Sequence, residues 1–162
     1  MFDYQWWVYL HVFGAFAFVF AHGASGLAAF RIRATRDPAA IRVLLDLSGA
    51  SIGVMYLGLL LLLVGGIAAG IAGGHFSRGW IWAALVLLVV TMVAMYAMAT
   101  PFYRRLRLAV GAESRDERAG EVAPVSDGEL AALATSGRPV ALLAVGLVGF
   151  VAILWLMFFK PF

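Results

Sequence analysis

The chain has 162 residues, 64% of them hydrophobic and only 13% charged, with no cysteine and a formal net charge of +3. A soluble domain is about half apolar and about a quarter charged, so the composition excludes an ordinary soluble enzyme and identifies an integral membrane protein. The lack of cysteine removes disulfides, thiolate metal sites and thiol catalysis, and the basic balance does not point to nucleic acid, because the arginines flank apolar segments where they set orientation and meet lipid headgroups.

Four continuous apolar runs are long enough to cross a hydrocarbon core about 30 Å thick, which takes roughly 20 helical residues. They cover about 6–30, 52–74, 79–100 and 140–159. The runs are continuous rather than alternating, which disfavours a β-barrel. The expected fold class is all-α, a polytopic membrane protein whose four transmembrane helices form a bundle in one domain, 1–162.

The start, "MFDYQWW", carries Asp3 and no basic stretch. No cleavable signal peptide is expected, and the first helix itself is expected to act as the targeting signal. The connection 31–51 contains Asp37 before Pro38, an N-cap followed by an N1 proline. The second helix is therefore expected to begin there and run through "AAIRVLLDLSGAS" into the membrane, with Arg42 and Asp46 paired on its surface. That helix ends "VGGIAAGIAGG", which sets Gly66, Gly70 and Gly74 at four-residue spacing. The stripe predicts a flat groove for close helix approach, and Ser25 with Gly26 offers a similar contact on the first helix.

The connection 101–139 begins as the tail of the third helix, "FYRRLRLAV". Its next stretch, from Gly111 to Val125, is charged and poor in large apolar residues, which predicts mobility. Ser126 with Glu129 then forms a capping-box pattern that opens a short surface helix, and Pro139 opens the fourth span. Connections one and three hold ten of the twelve lysines and arginines, against Arg78 and Lys160 on the other side. The positive-inside rule makes those connections cytoplasmic and both termini extracytoplasmic. Trp6, Trp7, Trp80 and Trp82 then fall at the outer interface, as an aromatic belt would. A shift of 73 residues aligns Trp7 with Trp80, Phe30 with Tyr103 and Arg31 with Arg104. A duplicated two-helix hairpin would explain this echo.

The first helix places two imidazoles in an apolar run, "HVFGAFAFVFAH". His11 and His22 are eleven residues apart, so they share one stripe about 16 Å apart along the axis. That face also holds Tyr4, Trp7, Gly14, Ala15, Phe18, Ser25 and Gly26, while Tyr9, Phe13, Phe16, Phe20 and Leu27 lie opposite. The polar, small face is expected to look into the bundle. Two readings stand side by side. Each histidine hydrogen-bonds a neighbouring helix, at Ser48, Ser51, Tyr56, Thr91 or Tyr96. Alternatively the histidines bind haem, a metal ion or a quinone, since intramembrane ionisable groups are functional candidates.

Neutral imidazole is a ligand for haem iron and for copper. At their separation His11 and His22 cannot share an ion, so each needs a partner from another helix. His75, in the outer turn, is the candidate partner of His11 if the turn folds inward; otherwise it is a solvated turn residue. Met95, which the 73-residue shift sets against His22, is the candidate partner there, or else core filling like the rest of "MVAMYAM". Asp3 and Asp46, the acids nearest a span, lie at opposite edges, which argues against a carboxylate proton relay.

The pattern "WWVYLHVFGAFAFVFAHG", the extension "LLDLSGASIGVMY", the turn "GWIWAAL" and the end "WLMFFKPF" resemble a bacterial family of four-helix integral membrane proteins with no assigned activity. More distantly, the chain resembles the copper-resistance D type membrane proteins and the J-type protoporphyrinogen oxidases, in which an early "LH" of the first helix is associated with copper or haem. His11 in "YLHVFGAF" is the matching position.

The expectation is an inner-membrane protein that holds b-type haem or copper through first-helix histidines, in membrane redox chemistry. The alternative is a non-catalytic accessory subunit or assembly factor of a respiratory or photosynthetic complex. Its partners are lipid and other membrane subunits or further copies of itself. A transporter is disfavoured, because no half-helix break is visible.

Overall fold

The computed structural model describes residues 3–111 and 127–162. It is all-α among these residues: α1 (Tyr4–Arg33), α2 (Pro38–Ala72), α3 (Gly79–Ala109), α4 (Asp127–Thr135) and α5 (Arg138–Phe159), with a 3-10 turn at His75–Ser77. Four helical stretches are long and apolar enough to cross a membrane, which makes this a multi-pass membrane protein. Most of the stretch expected to be mobile, and Ser126 of the expected capping box, lie outside the described residues.

The helix ends follow from local chemistry. The Asp37 carboxylate accepts from the Ala39 N–H at 3.0 Å, ahead of a proline in the first turn of α2. α2 is therefore a single helix that reaches beyond its apolar run. α3 likewise continues through Pro101 to Ala109, because only the ring nitrogen lacks a donor and the flanking turns still pair. Gly74 and Gly111 end α2 and α3 in the left-handed region (φ 64° and 63°), where a side chain is disfavoured.

Two antiparallel pairs build the molecule, α1 with α2 and α3 with α5. In the first pair the backbones touch. A Cβ on Gly14 would strike Leu62 and Gly58 backbone atoms, one on Gly58 would lie 2.6 Å from the Phe18 nitrogen, and one on Gly65 would lie 2.5 Å from the His11 nitrogen. The expected groove of Gly66, Gly70 and Gly74 is thus displaced by one position at its start. Gly66 gives room to the His11 ring, Gly70 to the Phe76 and Ile81 side chains, and Gly74 makes a turn with open space around it. The contact expected at Ser25 and Gly26 is a hydrogen bond between Ser25 and Ser51 hydroxyls at 2.8 Å, while Gly26 faces open space. Ser51 donates its own proton to the Ser48 carbonyl, so Ser25 is the donor between the two hydroxyls.

A buried cluster lies at each end, and the one at the arginine-rich end joins the pairs. At the arginine-rich end, Ile32, Ile41, Leu45, Phe102, Leu106 and Val110 are buried together, and Leu130 and Leu133 of α4 cover them. Two arginines lock this end. Arg42 donates to the Val110 and Gly111 carbonyls, and Arg107 donates to the Leu45 carbonyl. The expected Arg42–Asp46 pair does not form, because the open carbonyls at the end of α3 offer Arg42 a less exposed partner.

At the other end Trp80, Ile81, Ala84 and Leu156 are buried together. There Tyr4 meets His75, and the Trp80 N–H donates to the Phe162 carbonyl. The described termini and the 75–78 turn therefore share one end. Trp6 and Trp82 are exposed there, as a belt requires, but Trp80 is only 4% exposed and sits beneath Lys160.

Gly65→Ala drives a methyl into the α1 backbone and should lower unfolding stability by about 1–3 kcal/mol. Gly23→Ala, which would meet nothing within 4 Å, should leave it unchanged or raise it by up to about 1 kcal/mol. Unfolding titrations in mixed micelles measure both.

Candidate functional site

The polar stripe of α1 faces inward, as its composition requires. Gly14, Ala21, Ala28, Ala29 and Ile32 are buried, whereas Phe16 and Phe20 are 73% and 79% exposed to the surroundings of the helix pair. Large rings suit lipid, and small residues suit helix contact.

His11 is used across the seam. Its Nδ1 lies 2.7 Å from the Leu62 carbonyl oxygen of α2. A carbonyl only accepts, so Nδ1 carries a proton. The ring fits because position 66 is glycine: a Cβ there would lie 2.6 Å from Nδ1. The partner is backbone rather than any of the side chains expected from the sequence. Of those, Ser51 is engaged with Ser25 and Ser48, Thr91 lies against Gly149, and Tyr56 and Tyr96 are exposed.

His22 is half-buried one helical stretch away. Its ring stacks on Phe18 with centroids 5.7 Å apart and planes 5° from parallel. Its Nδ1 is buried with no hydrogen-bond partner among the described residues. Met95 lies in the other helix pair, with its methyl and sulfur over Gly146 of α5. His75 sits in the 3-10 turn, 3.3 Å from the Tyr4 hydroxyl and tilted against Trp80. Tyr4 precedes His11 by seven residues, about 10 Å along α1, so His75 stands at the rim and His11 in the seam.

The structure therefore brings His75 to Tyr4 and His11 to α2. Among the described residues no group of three histidine, aspartate or glutamate side chains is arranged to hold a metal ion. His11 lies on α2 at Leu62, His22 on Phe18, His75 on Tyr4 and Met95 on Gly146. In this arrangement His11 hydrogen-bonds, His22 stacks and Met95 fills space, while each imidazole keeps the chemistry of a metal ligand. The site feature that sequence reading missed is the backbone carbonyl of Leu62, whose only signal is the paired glycines, Gly65 and Gly66, that expose it.

No protein-family model, curated protein or solved structure matches this chain.

His11→Phe keeps a ring in the Gly66 notch and removes the donor, so it should cost about 1 kcal/mol of unfolding stability. His22→Phe removes a buried nitrogen that has no partner, so it should leave stability unchanged or raise it. The same micelle titrations distinguish the two.

Proposed function

We propose that this protein is a non-catalytic subunit of the bacterial inner membrane, an accessory or assembly component of a larger respiratory or photosynthetic membrane complex. The observation that carries this reading is the His11–Leu62 hydrogen bond. It gives the most conspicuous intramembrane polar group a role in joining helices. The Ser25–Ser51 bond extends that role along the same seam. The wide exposed apolar faces, with Phe13, Phe16 and Phe20 on α1, suit lipid and further membrane helices, another subunit or a second copy.

A second reading rests on His22. A buried ring nitrogen without a partner is costly, and an axial bond from His22 to b-type haem or to copper would account for it. This chain would then supply one ligand and a neighbouring chain the other. His11 donates Nδ1–H to a carbonyl, the arrangement that metal-ligating histidines also use.

The orientation proposed from charge has both termini extracytoplasmic. The gathering of both described termini and the 75–78 turn at one end, opposite the arginines of α1 and α3, supports it together with the positive-inside rule.

An absorption spectrum and elemental analysis of the purified protein test the assignment. The accessory reading expects no Soret band and no stoichiometric copper. A Soret band that sharpens on reduction, or bound copper, lost in His22→Gln, would replace it with the second reading. For topology, a reporter that is active only in the cytoplasm should stay dark when fused after Phe162, and activity there contradicts the orientation.

A further inference from the structure

Between α3 and α5 runs an open groove of about 390 Å³. Leu87, Thr91 and Ala94 of α3 line it with Ala144, Val148 and Ala152 of α5. Its floor exists because Gly149 has no side chain: a Cβ there would collide with Thr91. Apart from the Thr91 hydroxyl, which is turned to that floor, the wall is hydrocarbon.

The same faces lead to two arginines. On α3, steps of three and four residues from Ala94 pass Met98 and Pro101 and arrive at Arg105. On α5, Arg138, the first residue of the helix, lies seven and eleven residues before Val145 and Gly149 of the groove lining and so shares their face. Both arginines are exposed, and their side chains make no hydrogen bond or ion pair among the described residues. In this they differ from Arg42 and Arg107, whose guanidinium groups are held by carbonyls. α5 also starts without a side-chain cap, so its positive end lies at the same level as the two guanidinium groups.

An apolar trough with two unpaired cations at one end matches an amphiphile with an anionic head. The depth matches as well. From Arg105 to Ala94 is about 16 Å of helix, close to half of a hydrocarbon core about 30 Å thick. An acyl chain of one leaflet, starting from a headgroup at Arg105, therefore ends beside Ala94. A partner helix would need an acid at that depth to pair with the cations, whereas an anionic phospholipid carries both parts. We propose that the α3–α5 groove is a binding site for an anionic phospholipid of the arginine-side leaflet. Arg105 and Arg138 hold its phosphate, and one acyl chain lies between Ala94 and Ala144. This assignment is independent of which complex the protein joins.

The test is native mass spectrometry of the full chain in detergent, titrated with phosphatidylglycerol or with phosphatidylcholine. Phosphatidylglycerol should bind more tightly. Arg105→Gln and Arg138→Gln should each weaken it about fivefold, the effect of one arginine at an anionic surface. Ala144→Phe, at an exposed position, fills the trough and should weaken both lipids. Arg31→Gln with Arg36→Gln, two exposed charges at the end of α1, should leave binding unchanged. Equal affinity for the two lipids overturns the proposal. So does a loss with the Arg31 and Arg36 changes as large as with Arg105 and Arg138. A parent dimer that Ala144→Phe converts to monomer would give the groove to a second copy instead.

Discussion

Close approach of two helix backbones, at Gly14, Gly58 and Gly65, is the constraint on which the α1–α2 half depends. In lipid there is little hydrophobic gain in bringing helices together, so association rests on van der Waals contact and hydrogen bonds. Both need short distances. Three missing methyl groups supply them, and at that spacing the His11 imidazole reaches a backbone carbonyl that is already part of a helix. The Ser25–Ser51 bond continues the same line three to four turns further on. Large rings are kept off this face and turned outward, where Phe16 and Phe20 meet lipid or another chain.

The second half holds together by different means. Its notch at Gly149 receives the Thr91 side chain rather than a main chain, and a trough remains beside it. The two halves are tied at the arginine-rich end, where polar groups have water and headgroups to draw on. Arg42 and Arg107 each cross from one pair to the other and finish on carbonyl oxygens. Such charge-assisted bonds are stronger than neutral ones. At the opposite end Trp80 is buried and Lys160 lies over its ring at 5.6 Å, a cation–π contact that costs little where the ammonium stays hydrated.

Much of this architecture is legible in the sequence because the bilayer demands it. Four spans, the Asp37–Pro38 start of α2, the extension of α3 past its apolar run and the proline at the head of α5 all follow from residue chemistry acting locally. The inward direction of the His11 stripe follows from helical period and side-chain size. Less legible is anything that depends on the rotation of one helix against another. Which glycines touch, Gly58 and Gly65 rather than Gly70 and Gly74, is set by that rotation. A backbone carbonyl leaves no mark in the sequence, so the Leu62 partner of His11 could not be read, and Arg42 found such carbonyls in place of Asp46. Trp80 reads as interface by type, yet its neighbours bury it.

The same reasoning bears on the histidines as a set. Four candidate ligands that look alike in the sequence separate in space into a seam bond, a stacked ring, a rim contact and a packed thioether. The central claim is that His11 serves the helix seam. Nitrogen NMR of the ring of His11 in the folded protein tests it most directly. The account predicts a proton on Nδ1 with a hydrogen-bond shift that is lost in Gly66→Val, where the notch is filled. A spectrum with Nδ1 unprotonated, or one that does not change in Gly66→Val, would contradict it.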